Sequence, residues 1–218
     1  MPPRLVIFDC DGVLVDTETI ANEILSRFAE DLGLDLSPEE CQRRFQGLSL
    51  GAVKGELETL SACLLPINWI DQVRQADIKA FQKGIDPIAN IEGQILRLKE
   101  CSVPFCVASS GSYAKMHTTL GAAGLLKYFQ EVLYSAQDVE NGKPAPDVFL
   151  YAAREMGYTP DQCVVIEDSM AGIVGAKAAG MSVLAYMQNS FLDQEQVIGS
   201  GATPFSDMRE LPRLLHLL

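Results

Sequence analysis

Short apolar runs recur along most of this chain, and each is followed by a stretch of helical periodicity. The first run, residues 5–8, is bounded by Gly12 and predicts a buried parallel strand. From about Ile91 the alternation predicts four more strands, at residues 104–108, 131–134, 162–166 and 182–186. The helices predicted beside them lie at residues 92–100, 112–123, 147–156 and 169–179, with a last one near 208–217. This βα series favours an α/β doubly wound fold, a parallel sheet with helices on both faces.

Residues 21–87 interrupt this alternation, because no strand-like run occurs within them. Helical patterns occupy residues 17–32, 50–64 and 69–83, and Ser37 before Pro38 is typical of the N-cap of a further helix. These helices either form a domain inserted after the first strand or simply cover one face of the sheet. A run this long without strands does not fit a regular βαβ order, which favours the inserted all-helical domain.

Composition restricts the class of protein and its partners. With 218 residues, 48% of them hydrophobic, the chain can bury one substantial core and a smaller appended unit. The net charge of −12 argues against nucleic acid or an anionic membrane as a partner, since both require a basic face. No apolar run approaches the roughly 18 residues of a membrane span, and the N-terminus lacks a signal-peptide pattern. We therefore expect a globular, cytoplasmic enzyme that is a monomer.

The cysteines show no Cys-x-x-Cys spacing, and three of the six lie in apolar, strand-like runs. We expect buried, reduced thiols rather than disulfides or zinc ligands. The six positions are Cys10, Cys41, Cys63, Cys101, Cys106 and Cys163.

Two carboxylates follow the first predicted strand, where Asp9 and Asp11 flank Cys10 in the sequence Asp-Cys-Asp-Gly-Val-Leu-Val-Asp-Thr. In open α/β sheets the carboxyl ends of the strands form the ligand-binding edge, because loops and helix N-termini meet there. Two carboxylates so close repel each other, which indicates a bound cation or a shared proton. The alternative is a polar strand end that turns into solvent, but the complete motif after an apolar strand favours a site.

The second predicted strand ends in Ser109, Ser110 and Gly111, just before a helix. A hydroxyl group and several backbone N–H groups at this position can hold an anion. Taken alone this signal is weak, because Ser and Gly before a helix are also ordinary capping and turn residues.

Two later segments supply charge of both signs. Lys143 is enclosed by Gly142 and Pro144 in a stiff loop before a helix, which indicates a fixed ammonium rather than an ordinary loop lysine. The strand at 162–166 is followed by Glu167 and Asp168. Two strands then deliver carboxylates to one edge, an oxygen-rich set suited to Mg²⁺.

In these four motifs, taken in order, the chain resembles the haloacid dehalogenase-like (HAD) superfamily, and within it the small capped phosphatases and the β-phosphoglucomutase group. The resemblance extends over nearly the whole chain. It implies a Rossmann-like catalytic core of residues 1–17 and 88–218, with residues 18–87 as a helical cap domain. It further implies phosphoryl transfer through an aspartyl-phosphate on Asp9, with Asp11 as acid and base and Mg²⁺ as cofactor.

The resemblance also implies a role for each candidate residue. The Mg²⁺ ligands would be Asp9, the backbone carbonyl of Asp11, and Asp168, with Glu167 as a direct or neighbouring acid. The residues acting on the phosphoryl group would be Asp9, Asp11, Ser109 and Lys143. The substrate contacts would include Ser110 and Gly111.

Hydrolysis is favoured over two other reactions. A dehalogenase does not protonate its leaving halide, so Asp11 favours a phosphate ester. The Gly-Val pair at residues 12 and 13 resembles the mutases, but their cap histidine and arginine correspond here to Ala21 and Leu50, and both histidines of this chain lie outside the predicted cap. A phosphatase is therefore predicted, with a β-phosphoglucomutase-like transferase or an inactive phosphate-binding module as the alternatives.

A narrower resemblance bears on the substrate. The opening Asp-Cys-Asp-Gly and the Arg-Phe-Gln-Gly at residues 44–47 are similar to sugar and sugar-acid phosphate phosphatases of the 6-phosphogluconate phosphatase-like group. A small phosphorylated sugar or sugar acid is the substrate that this implies. Arg43, Arg44 and Lys54 are candidates for contacting a substrate carboxylate, although each is as easily a solvated helix residue.

Overall fold

The structure, a computed structural model, describes residues 3–45, 48–187 and 192–217. The chain divides into two compact units. Thr17–Ile85 form the smaller one, and Met1–Asp16 together with Asp86–Leu218 form the larger one. The interpretation of the smaller unit as a cap stays a prediction.

Helices alone make up the smaller unit in the part of the chain that is described. They are α1 Thr17–Glu30, α2 Pro38–Phe45, α3 Leu50–Ser61 and α4 Trp69–Phe81. The predicted N-cap of α2 is confirmed, because Glu40 N–H donates to Ser37 Oγ at 3.2 Å and Ser37 N–H donates to the Glu40 carboxylate at 3.4 Å. The helices enclose an apolar core in which the rings of Phe28 and Trp69 pack edge to face, with centroids 5.8 Å apart.

One six-stranded parallel sheet lies at the centre of the larger unit, counting the residues described. Its strands are β1 Leu5–Phe8, β2 Phe105–Ser109, β3 Leu133–Ser135, β4 Cys163–Glu167, β5 Ser182–Tyr186 and β6 Thr203–Phe205. Their spatial order is β3-β2-β1-β4-β5-β6, so the first strand of the chain lies between β2 and β4. The predicted doubly wound α/β fold is confirmed. The strand order reverses between β1 and β4, which is where such sheets open a ligand-binding crevice at the carboxyl edge.

Both faces of β1 are covered, which explains its uninterrupted apolar sequence. Leu5 and Ile7 are fully buried in a cluster that includes Phe149. Phe8 points to the opposite face, where its ring centroid lies 6.3 Å from that of Phe129. A strand buried on both sides is rigid, so the residue that follows it has a fixed position.

The helices of the larger unit are α5 Ile91–Glu100, α6 Tyr113–Ala122, α7 Asp147–Glu155, α8 Met170–Ala178, α9 Gln194–Gly199 and α10 Leu211–Leu214. The sequence did not indicate α9 or β6, because α9 has six residues and β6 has Pro204 at the centre of only three. Proline is accepted there because β6 is an edge strand. Helical structure is present where the last helix was predicted, near 208–217, but it is shorter: a 3-10 turn, Met208–Glu210, precedes the short α10.

All six cysteines are free, as predicted, and four of them are buried. The expectation of burial is wrong for Cys63, which is exposed beyond the end of α3, and for Cys101, which is partly exposed at the C-cap of α5. None of the helices in the described ranges is long and apolar enough to cross a membrane.

Candidate active site

The ends of three neighbouring strands bring the candidate residues to the carboxyl edge of the sheet. Asp9 follows β1, and its backbone N–H donates to the carbonyl of Ile166 in β4 at 2.9 Å. Glu167 is the last residue of β4, Asp168 follows it, and Ser109 is the last residue of β2. Parallel strands end at a common edge, so these side chains converge although they come from distant parts of the sequence.

Lys143 joins the first strand to the fourth. Its Nζ lies 2.6 Å from Asp9 Oδ1 and 2.6 Å from Glu167 Oε1, and its side chain is only 5% exposed. The Phe149 ring lies beside it, with the centroid 4.9 Å from Nζ. Burial lowers the pKa of Lys143, but the carboxylates of Asp9 and Glu167 outweigh this and raise its pKa above the ordinary value. Lys143 is therefore a fixed positive charge.

Glu167 has both of its carboxylate oxygens engaged. Oε1 accepts from Lys143, while Oε2 accepts from the backbone N–H groups of Asp168 and Ser169 at 2.9 and 2.8 Å and from Ser169 Oγ at 2.9 Å. The side chain is fully buried, and a Cβ at Gly172 would overlap its carboxylate. Of the two roles implied for Glu167, this geometry favours the neighbouring acid that positions Lys143.

More acidic than basic side chains surround Asp9. Burial raises its pKa, Lys143 lowers it, and repulsion from Glu167 and Asp11 raises it further, to about 7. A single ammonium therefore does not balance the carboxylates around it. A divalent cation at this position would supply the missing charge.

The arrangement of oxygens fits such a cation. Asp9, Glu167 and Asp168 each place one carboxylate oxygen within 4.8 Å of the other two. Gly12, with φ +76°, leaves space for this approach, because a Cβ there would overlap the carboxylate of Asp168. Carboxylate oxygens at this spacing suit Mg²⁺. Since Glu167 is held by other donors, Asp9 and Asp168 are the better ligands.

Two strands hold the loop of Ser109, Ser110 and Gly111. Ser109 is buried, and its Oγ accepts from the Gly111 N–H at 3.0 Å. Ser135, at the end of β3, donates its hydroxyl to the Gly111 carbonyl at 2.7 Å. Ser110 is exposed between them. The sequence reasoning missed Ser135, whose contact with the loop depends on the pairing of β2 with β3.

A second lysine, also missed, lies at this edge. Lys115 Nζ is 2.7 Å from Asp11 Oδ2. Burial lowers the pKa of Lys115, but the ion pair with Asp11 outweighs it and the net shift is upward. One signal could have identified Lys115: it occupies the first turn of α6, where the helix dipole disfavours a cation unless an anion is near.

The cationic candidates of the smaller unit are paired within that unit. Arg44 lies 3.7 Å from Glu56, Arg43 lies 3.3 Å from Glu40, and Lys54 pairs with Glu58. Gln46 and Gly47 of the Arg-Phe-Gln-Gly segment at residues 44–47 lie outside the described residues. A substrate role for these cations stays a prediction.

Comparison with known proteins agrees with this chemistry. A sequence profile described as haloacid dehalogenase-like hydrolase matches residues 6–186. The 6-phosphogluconate phosphatase of Escherichia coli (strain K12) is 30% identical over 210 residues, which are 96% of this chain and 93% of that protein. A phosphorylated carbohydrates phosphatase of Thermotoga maritima is 28% identical, covering 96% of this chain and 97% of that one. A HAD family hydrolase from Deinococcus radiodurans, solved with bound phosphate and sodium, has a TM-score of 0.88 at 28% identity, over 99% and 96% of the two chains.

Proposed function

Since the chain belongs to the haloacid dehalogenase-like hydrolases and is a phosphatase, we propose that it hydrolyses small phosphorylated sugars or sugar acids through an aspartyl-phosphate on Asp9. The observation that carries this proposal is the buried ammonium of Lys143, which joins Asp9 to Glu167 at the carboxyl edge. A carboxylate and a phosphoryl group repel each other. A fixed positive charge beside Asp9 offsets that repulsion and stabilises the transition state more than the separated reactants.

The first half-reaction transfers the phosphoryl group to Asp9. A carboxylate oxygen of Asp9 attacks phosphorus in line, the bond from phosphorus to the ester oxygen breaks, and Asp11 donates its proton to the departing alkoxide. Lys143 and the Ser109 hydroxyl stabilise the charge on the transferring group, with Ser110 and Gly111 as further phosphate contacts. The alcohol leaves as the first product.

The second half-reaction releases phosphate. Asp11, now a carboxylate, takes a proton from a water molecule that attacks phosphorus, and the bond to Asp9 breaks. Mg²⁺ held by Asp9, the Asp11 carbonyl and Asp168, with Glu167 beside it, would supply charge that screens the carboxylate from the phosphate. The enzyme returns to its starting state with Asp9 ionised and Asp11 protonated.

The proposed substrate class follows the relatives, which are named as phosphatases of 6-phosphogluconate and of phosphorylated carbohydrates. If the smaller unit is a cap, Arg44 and Lys54 are its substrate contacts. Each would then exchange its present partner, Glu56 or Glu58, for a substrate carboxylate.

The test of this function is a panel of phosphorylated metabolites with Mg²⁺, in which released phosphate is measured. We expect many turnovers on at least one sugar or sugar-acid phosphate. β-Glucose 1-phosphate is included with a second readout, glucose 6-phosphate, because Ala21 and Leu50 supply no mutase-type proton carrier. Formation of glucose 6-phosphate faster than free phosphate would establish the mutase instead. No turnover on any ester, with Mg²⁺ bound normally, would establish an inactive binding module.

Metal removal should abolish this activity. We expect EDTA to stop phosphate release and excess Mg²⁺ to restore it, because the carboxylates around Asp9 need a divalent cation to accept a phosphate. Asp168→Asn should raise the Mg²⁺ concentration for half-maximal rate by about 10–100-fold or more. Full activity of the parent enzyme in EDTA would rule out the metal assignment.

A further inference from the structure

The mechanism above makes no use of the ion pair between Lys115 and Asp11. The two residues are 104 positions apart in the sequence, yet Nζ lies 2.7 Å from Oδ2. Their side chains are 36% and 28% exposed. Ion pairs this exposed stabilise a fold only weakly, because water screens them and long side chains lose freedom. This pair therefore contributes little to stability, and what distinguishes it is its position just after β1, beside the candidate catalytic residues.

Lys115 is directed toward Asp11 by the loop that it covers. Its backbone N–H donates to the N-cap hydroxyl of Ser112 at 3.2 Å, which fixes it in the first turn of α6. Its aliphatic stem passes over Gly111, where a Cβ would lie 3.4 Å from Lys115 Cδ and 3.2 Å from Ser109 Oγ. The same Cβ would be 3.9 Å from Asp11 Oδ2. Side-chain atoms of Lys115, Ser109 and Asp11 thus surround the same point beside Gly111.

We propose that Lys115 is a positioning residue, which holds the Asp11 carboxylate at the catalytic edge for both of its proton transfers. The inference rests on the proposed function, since that function makes Asp11 the acid and the base. Lys115 keeps its own protons throughout. Its N–H donates to Asp11 in either state, because a protonated carboxyl still has an acceptor oxygen. Reacting groups displaced by about 1 Å can lose about 10²-fold in rate, so a small movement of Asp11 matters.

A double-mutant cycle on p-nitrophenyl phosphate, with saturating Mg²⁺, tests this role. Lys115→Met removes the charge and keeps most of the stem, and we expect it to lower kcat about 10–100-fold while KM changes less than about threefold. Lys115→Arg should recover most of the rate. In an Asp11→Asn background, the same Lys115→Met change should lower kcat less than about threefold, because its effect passes through Asp11.

Lys127→Met is the matched control, since Lys127 is an exposed lysine of the same unit that pairs with Glu92. It should keep the parental kcat. An equal loss from Lys115→Met in both backgrounds would show direct action on the substrate and overturn the proposal, as would a change in KM alone or an unchanged kcat. If Lys115→Met does not fold, Lys115→Gln, which also removes the charge, gives the same comparison in the two backgrounds. Failure of the proposed function would be distinguishable from failure of this proposal, because the parent enzyme itself would then release no phosphate.

Discussion

Replacement of Asp9 by asparagine is expected to abolish turnover, with kcat reduced by about 10⁴-fold or more, as for other covalent nucleophiles. The amide cannot attack phosphorus to form an acyl phosphate. Lys143 keeps its contact with Glu167 in this variant, so the rest of the site stays assembled. Phosphate release on the best substrate of the panel provides the measurement. Asp161→Asn is the matched control. Asp161 is an exposed acid just before the start of β4, so this variant should be fully active.

The same Asp9→Asn substitution should not destabilise the fold at pH 7. Without metal, the pKa of Asp9 is raised from 3.8 to about 7, so the unfolded chain loses this proton at a lower pH than the folded protein does. Stability therefore falls as pH rises between these two values. The amide of asparagine does not ionise, so the Asp9→Asn variant avoids this loss of stability at pH 7. A thermal unfolding midpoint in EDTA at or above the parental one is expected, whereas a clear decrease, or activity within tenfold of the parent, would contradict the assignment of Asp9.

Gly172→Ala is expected to reduce both stability and activity, although alanine normally favours a helix over glycine by about 0.5–1 kcal/mol. The new Cβ would overlap the Glu167 carboxylate. Glu167 cannot yield easily, because it is fully buried and held by Lys143 and by donors of Asp168 and Ser169. Disrupting a buried ion pair costs about 3–5 kcal/mol. Displacing Lys143 should also lower kcat by about 10²–10³-fold, the typical effect of losing one group that stabilises transition-state charge.

Gly93→Ala separates this effect from a general response to glycine replacement. Gly93 lies in α5, and a Cβ there would meet nothing within 4 Å. This variant should keep its kcat and gain about 0.4–1 kcal/mol in unfolding free energy. Urea unfolding and steady-state kinetics of both variants check the pair. A Gly172→Ala enzyme with parental stability and rate would show that Glu167 is not confined as described.

The position of the candidate active site at the sheet edge could be predicted from short stretches of sequence. β1 and β4 are apolar on both faces because helices cover both faces, and a carboxylate at the end of each must then lie at the sheet edge. That reasoning identified Asp9 and Glu167 as neighbours although they belong to distant parts of the sequence. Lys143 was indicated by its stiff loop. In each case one short pattern determines where the side chain must lie.

Other features depend on contacts that no local pattern specifies. The pairing of Lys115 with Asp11 arises from the way α6 begins above Gly111, and the contact of Ser135 with that loop arises from strand pairing. The engagement of both Glu167 oxygens depends on the space at Gly172, which only the folded structure places beside Glu167. β6 was missed because its edge position, rather than its composition, makes proline acceptable.

The position of β1 between β2 and β4 also limits how early the sheet can assemble during synthesis. β1 is synthesised first, but its neighbour β4 begins only at Cys163, so at ribosomal rates of about 5–20 residues per second the two are separated by on the order of ten seconds. During that interval the apolar β1 has an unpaired edge and is exposed to chaperones and to aggregation. Thr17–Ile85 are continuous in sequence and helical, so this unit can fold early from local contacts. Asp9 can therefore meet Glu167 and Asp168 only after β4, which begins at Cys163, has left the ribosome.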